Sequence, residues 1–66
     1  MYSAIEIKRK ELNLRQEDVA ESAGISRQYY NSIENARVEP TVAVAKKLGK
    51  VLGVEWTIFF TNGVNI

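Results

Sequence analysis

Apolar residues recur every three or four positions along most of the chain, which is the spacing of helices that bury one face. The first segment of this kind predicts a helix from about Ala4 to Leu12. A capping box and a hydrophobic staple at its start involve Ser3, Glu6, Tyr2 and Ile7. Asn13 follows, and asparagine tolerates the left-handed backbone conformation at a helix end.

The middle of the chain predicts two more helices joined by a short turn. The segment QEDVAESA is amphipathic, has carboxylates near its start where the helix dipole favours them, and stops at Gly24. Ser26 can cap a third helix from Arg27 to about Asn35, with Tyr30 and Ile33 on its inward face.

The last part of the chain predicts a fourth helix and one ambiguous segment. Pro40 breaks the chain, Thr41 can cap a helix through about Leu52, and Gly53 ends that helix. Its apolar stripe consists of Val42, Ala45, Leu48 and Leu52. EWTIFF, over 55–60, suits a helix or a strand; helix is favoured because a lone strand has no candidate partner. The tail TNGVNI, over 61–66, is expected either to fray or to pair with another chain.

Composition narrows the classes of function. The hydrophobic content of 45% and net charge of +1 are typical of a folded globular chain, and one domain over 1–66 is expected. The chain has no cysteine and no histidine, which argues against disulfides, thiolate or imidazole catalysis and the usual zinc sites. We therefore expect no metal, cofactor or small-molecule ligand, and no enzymatic activity. Without a membrane-spanning run or a signal peptide, a cytoplasmic protein is expected.

The residues from Gln16 to Asn35 follow the pattern Q-x-x-V-A-x-x-A-G-I-S-x-x-x-Y-x-x-I-E-N. Two helices cross closely only if a small residue such as Ala20 lies at the contact, and a tight turn favours a glycine such as Gly24. This stretch resembles the helix-turn-helix of the phage-repressor and Xre-type regulators, also called lambda-repressor-like. The later segment PTVAVAKKLGKVLGV resembles the fourth helix of that family. The resemblance implies an all-α domain of four to five helices with its helix-turn-helix at about 16–35.

The outward face of the third helix carries amides, a hydroxyl and an arginine instead of the mixed lysine and glutamate of an ordinary solvated helix. These groups recognise base edges in the major groove of DNA. The resemblance implies base contacts by Arg27, Gln28 and Ser32, with Asn31 as a secondary candidate.

The resemblance also implies contacts to the DNA backbone at the start of the second helix and after the third. The candidates are Gln16, Arg15, Asn35 and Arg37, together with Tyr29. Tyr29 could instead touch a thymine methyl or simply be exposed, and the two arginines could be ordinary solvated charges.

Arg9 and Glu34 match a pair that the family often buries between the first and third helices, which implies a structural ion pair.

Three positions depart from the family pattern. Arg15 lacks a cap oxygen for the second helix, so either Asn13 caps it or that end frays. Ala36 replaces a glycine, so Asn35 is expected to take the left-handed conformation. Lys8 replaces an apolar residue, and its stem is expected along the edge of the core.

The aromatic segment over 55–60 contains more large apolar residues than a helix needs in order to cover one end of the core. Trp56 and Phe59 fit inward positions, whereas Ile58 and Phe60 fall on other faces and are expected to be exposed. Trp56, Ile58 and Phe60 are therefore candidates for a homodimer interface. The alternative is a core that wraps around this segment.

We expect a sequence-specific regulator that binds double-stranded DNA, a small stand-alone repressor acting as a homodimer on a near-palindromic operator. The alternative is a protein-interaction module, or an antitoxin-like subunit, that keeps the fold and binds a partner protein. The sequence does not indicate the operator, the regulated gene, the sign of regulation or an effector.

Overall fold

In a computed structural model, residues 4–60 are described, and they form four α-helices and a closing 3-10 helix. The elements are α1 (Ala4–Glu11), α2 (Gln16–Ala23), α3 (Arg27–Glu34), α4 (Val42–Leu52) and the 3-10 helix (Trp56–Phe60). Within 4–60 there is no strand, so the ambiguous EWTIFF segment is helical, as favoured, with the tighter 3-10 geometry. The predicted capping by Ser3, the staple by Tyr2 and the tail TNGVNI lie outside the described residues.

The core lies between all five elements and is built from their inward apolar positions. Its buried side chains are Ile5, Val19, Ala20, Ala23, Tyr30, Ile33, Ala45, Leu48, Leu52 and Phe59. Val42 was expected on the buried stripe of α4, but it is 51% exposed, so that expectation was wrong. It occupies the first turn of α4 and lines a surface groove with Trp56 and Phe60 instead of entering the core.

The α2–α3 turn has the predicted helix-turn-helix geometry. Ala20 is buried, and Gly24 adopts the left-handed conformation with φ of 72°. The Ile25 amide donates to the Ala20 carbonyl over 3.0 Å, which closes the turn. Ser26 then caps α3, because its hydroxyl oxygen accepts from the Tyr29 amide over 3.0 Å.

The start of α2 is secured in a way that the sequence did not suggest. Arginine has no acceptor atom, but the Asp18 carboxylate accepts from the Arg15 backbone N–H over 2.8 Å. This hydrogen bond, with the one from the Arg15 side chain, holds the pKa of Asp18 below its usual value. Asp18 thus supplies the reciprocal half of a capping box, no side chain supplies the cap oxygen, and Asn13 instead takes the left-handed conformation after α1, with φ of 60°.

The residue that takes the left-handed conformation after α3 is not the one that was expected. Asn35 has φ of −89°, whereas Ala36 takes the left-handed conformation with φ of 60°. The Ala36 amide donates to the Ile33 carbonyl and the Arg37 amide to the Ser32 carbonyl. These two bonds form a Schellman motif, which requires the left-handed residue one position after the cap residue Asn35.

The aromatic segment at the C-terminal end is also more buried than expected. Ile58 and Phe60 are half-buried and pack against the core, so the expectation that they are exposed was wrong. The Trp56 and Phe60 rings meet edge to face, with centroids 6.1 Å apart. Phe59 is buried in this 3-10 helix, and Trp56 packs against the core beside it.

None of the helices within 4–60 is long and apolar enough to cross a membrane. Lys8 is half-buried, and its Nζ lies 3.9 Å from Oε1 of Glu11.

Candidate nucleic-acid interface

An open groove of about 410 Å³ lies where the start of α2 meets the outward face of α3. It is lined by Gln16, Arg27, Gln28, Asn31, Ser32 and Arg37. All four predicted base-reading residues line it, together with two of the five predicted backbone-contacting residues. The structure therefore brings side chains from three separate stretches of sequence to one polar surface.

The orientation of α3 follows from its buried anchors. Tyr30 is 0% exposed and Ile33 is 4% exposed, which pins one side of the helix to the core. With about 100° between successive residues, the opposite side carries Gln28, which is exposed, and Ser32, which is half-buried, with the exposed Arg27 at the edge of that side. These three side chains are therefore available to a molecule that approaches α3.

Beneath this groove lies a buried ion pair. The Arg9 Nε donates to Glu34 Oε2 over 2.7 Å, and its Nη2 donates to Oε1 over 3.2 Å. A third nitrogen, Nη1, donates to the Leu14 carbonyl over 2.9 Å. The pair matches the fork-like geometry that makes arginine and carboxylate specific partners, and it joins α1 to α3.

Glu34 collects further hydrogen bonds from the side chains around it. Tyr30 donates its hydroxyl to Oε2 over 2.7 Å, and Gln16 donates Nε2 to Oε1 over 2.8 Å. Burial raises the pKa of the Glu34 carboxyl, but the hydrogen bonds from Arg9, Gln16 and Tyr30 outweigh burial, so its pKa is lowered overall. The Tyr30 hydroxyl therefore points to this buried carboxylate.

Burial raises the pKa of Tyr30, and its hydrogen bond to the negative Glu34 raises it further. For Arg9, the hydrogen bond with Glu34 raises the pKa, against the opposing effect of burial. The cluster therefore holds one cation, one anion and one neutral phenol at neutral pH.

A line of side-chain amides leads from Glu34 to the surface. Asn31 Nδ2 donates to Gln16 Oε1 over 3.2 Å, and Asn35 Nδ2 donates to Asn31 Oδ1 over 3.1 Å. The family resemblance implies a phosphate contact by Gln16 but does not indicate its bond to Glu34. No spacing rule could have found it, because Gln16 and Glu34 are 18 residues apart and meet only through the packing of α2 on α3.

The remaining predicted backbone-contacting residues lie outside the lining of the groove. Arg15 is exposed and forms ion pairs with Glu17 over 3.4 Å and Asp18 over 3.3 Å, so part of its charge is already balanced. Tyr29 is half-buried and packs against the core. By contrast, Arg27 and Arg37 take part in none of the ion pairs found within residues 4–60.

Among the described residues there is no group of three carboxylate, cysteine or histidine side chains arranged to hold a metal ion. The chemistry of the groove is that of hydrogen-bond donors and acceptors with two arginine charges. It is suited to recognising a polar, negatively charged surface.

Comparison with known proteins agrees with this geometry. A family model described as "Helix-turn-helix" matches residues 5–59. An uncharacterized HTH-type transcriptional regulator of Bacillus subtilis, YqaF, is 49% identical over 57 residues, covering 86% of this chain and 75% of its own. One from Methanothermobacter thermautotrophicus is 38% identical over 55 residues, covering 83% and 80%.

A crystal structure of an HTH_3 family transcriptional regulator from Vibrio cholerae superimposes with a TM-score of 0.68 at 27% identity. The match covers 89% of this chain but 33% of that one, so this chain spans about a third of that regulator's length. The family is one of transcriptional regulators and not of enzymes. With its all-α, lambda-repressor-like fold, this chain belongs to the Xre-type helix-turn-helix family of transcriptional regulators.

Proposed function

We propose that this protein is a sequence-specific regulator of transcription that binds double-stranded DNA as a single domain over residues 1–66. The observation that carries the proposal is the groove at the α2–α3 junction, in which arginine, amide and hydroxyl groups converge on one surface. In this account α3 enters the major groove, where Arg27 and Gln28 recognise base edges together with Ser32. Asn31 is a fourth base-reading residue.

Backbone contacts fix the position of α3 on the duplex. Arg37 is exposed and lines the groove, and Gln16, the first residue of α2, lines it too, at a helix start where the dipole favours a phosphate. Gln16, Arg15, Tyr29 and Asn35 complete the proposed set of backbone contacts. Because these contacts carry no sequence information, they supply affinity while α3 supplies specificity.

The protein acts as a cytoplasmic repressor and binds as a homodimer. Two copies of α3 about one DNA turn apart, roughly 34 Å, would match a near-palindromic operator. The proposed dimer surface is the apolar groove of about 250 Å³ lined by Val42, Trp56, Thr57 and Phe60. Ile58 is included in the proposed interface as a partly buried residue of the same 3-10 helix. Occupation of the operator would then block RNA polymerase, and no catalytic activity is needed.

Salt dependence of DNA binding tests the proposal. The logarithm of the binding constant should fall with the logarithm of salt concentration, by about 0.9 for each neutralised phosphate. Arg37→Ala should weaken binding equally to all sequences and reduce that slope by roughly one for each bound copy. A slope near zero for the wild type would instead favour a module that binds a partner protein.

Analytical ultracentrifugation tests the homodimer separately. We expect a dimer at low micromolar concentration and a monomer for Phe60→Ser, with Lys50→Ser as a control on the exposed side of α4. A wild-type protein that stays monomeric at high concentration would contradict the proposed dimer.

A further inference from the structure

The hydrogen bonds between Glu34 and the surface of α3 have a fixed direction. A carboxylate only accepts hydrogen bonds, so the end of the Gln16 amide that faces Glu34 has to be its NH2 group. This leaves the Gln16 carbonyl oxygen facing Asn31, three residues before Glu34 on α3. The charge of one buried residue therefore decides how the next side chain is turned.

The same logic carries to Asn31. Because the Gln16 oxygen is an acceptor, Asn31 has to offer its NH2 group, which donates over 3.2 Å. The Asn31 oxygen then faces Asn35, whose NH2 group donates to it over 3.1 Å. Asn31 lines the groove and is half-buried, so its amide is held on one side of the proposed DNA-binding surface.

The direction matters for recognition because an asparagine amide has a donor end and an acceptor end. Turning the amide over exchanges the two and changes which base edge it matches. A free surface asparagine samples both orientations, whereas one held by a relay of hydrogen bonds does not. Holding one orientation also avoids the loss of side-chain entropy on binding.

We propose that Glu34, without touching DNA, sets the direction of the Gln16 and Asn31 amides and is thereby a positioning residue for base recognition by Asn31. Gln16 is the link between the two. This inference rests on the proposed function, since it assigns the origin of specificity within the same groove. It also gives the buried pair with Arg9 a second role: Arg9 keeps Glu34 charged, and therefore an acceptor.

Two variants, called the relay variants below, remove the fixed orientation of the amides in different ways. Arg9→Met together with Glu34→Gln removes both buried charges, so neither is left unpaired, and the amide at position 34 can present either end to Gln16. Gln16→Met breaks the link and leaves the ion pair intact. Arg9→Lys is the matched control, because it changes the same buried pair but keeps the Glu34 carboxylate as acceptor.

The first measurement is discrimination between bases at the one operator position where Asn31→Ala relaxes preference. We expect the ratio of affinities for the preferred and the disfavoured base pair to fall roughly tenfold in both relay variants and to be retained in Arg9→Lys. The ratio also separates orientation from phosphate contact by Gln16, since a lost phosphate contact weakens both duplexes alike. Full discrimination in both relay variants, each shown to be folded by circular dichroism, would overturn the inference.

The second measurement needs no DNA. Side-chain NH2 protons of Gln16 should exchange slowly with solvent in the wild type and in Arg9→Lys, and faster in the double variant. Fast exchange in the wild type would overturn the orienting role of Glu34. A wild type that shows no base preference would refute the proposed function, while the exchange rates would still decide whether Glu34 orients the amides.

Discussion

Arg9 and Glu34 meet in the core through two hydrogen bonds, of 2.7 and 3.2 Å, between residues 25 positions apart in the sequence. Both residues are more than nine-tenths buried, with 8% and 4% exposure. A pair of this kind holds α1 against the helix proposed to bind DNA. Its integrity is therefore a condition for the geometry of the groove.

Replacing Glu34 with alanine should destabilise the fold. The Arg9 guanidinium would remain buried without its carboxylate, and removal of one partner of a buried pair costs about 3 to 5 kcal/mol. The free energy of unfolding from urea titration measures this loss. Glu21→Ala, at an exposed position on α2, is the control. A normal melting temperature for Glu34→Ala would show that the pair contributes little.

Tyr30 should make stability depend on pH in the alkaline range. Its folded-state pKa is raised above the ordinary value of 10.0, mainly by burial, so the folded state holds the phenol proton more tightly than the unfolded state does. This contribution is complete below pH 10 and is lost as pH rises through the folded-state pKa. Tyr30→Phe removes the hydroxyl that donates to Glu34 and should cost about 1.5 to 3 kcal/mol at neutral pH.

Urea titrations of wild type and Tyr30→Phe at pH 7 and at a series of values above 10 measure both effects. The difference in unfolding free energy between the two proteins should shrink as pH rises above 10. A difference that stays constant over that range would mean that the Tyr30 hydroxyl does not titrate with folding.

Ala36→Gly should stabilise the protein. Ala36 has φ of 60°, which costs a residue with a Cβ about 1 to 2 kcal/mol, whereas glycine adopts it freely. The greater entropy of glycine in the unfolded chain offsets part of this gain, so a net increase of roughly 0.5 to 1 kcal/mol is expected. Thermal unfolding followed by circular dichroism measures it. Asn35→Gly is the matched control: Asn35 has φ of −89°, so glycine there should bring no gain.

Gly49→Ala should destabilise the protein although alanine is the better helix former. A Cβ at position 49 would lie 2.9 Å from the Val54 carbonyl oxygen and 3.1 Å from the Trp56 Cβ. The segment that follows α4 would have to move away, at a cost of about 1 to 3 kcal/mol. Trp56 is the one tryptophan of the chain, so its fluorescence reports directly on the displacement. Unchanged fluorescence and stability, equal to those of Lys50→Ala, would show that the contact is not tight.

The sequence was sufficient to predict the structural features that depend on local chemistry. Gly24 and Ser26 set the turn and the start of α3 through their own backbone and side-chain preferences, and these preferences are known from the residue type. The lining of the groove by Arg27 and Gln28 followed from helical periodicity once Tyr30 was placed inward. The all-α fold of the family was predicted because these residues occur at the family's spacing over some twenty positions.

What the sequence did not indicate depends on geometry between elements. The left-handed residue after α3 is Ala36 and not Asn35, because the Schellman hydrogen bonds fix its position regardless of which residue prefers that conformation. The burial of Phe60 depends on how the 3-10 helix packs on α4. The bond from Gln16 to Glu34 likewise exists only once α2 lies across α3. Periodicity within one helix contains none of this information.

Selection of bound duplexes from a pool of random-sequence DNA tests whether α3 recognises a specific operator. We expect an enriched, near-palindromic motif with half-sites about one helical turn, roughly 34 Å, apart. Arg27→Ala should keep this spacing but relax preference at one base pair of each half-site, by about 1 to 3 kcal/mol. A folded wild-type protein that enriches no sequence over the starting pool would show that α3 does not recognise base sequence.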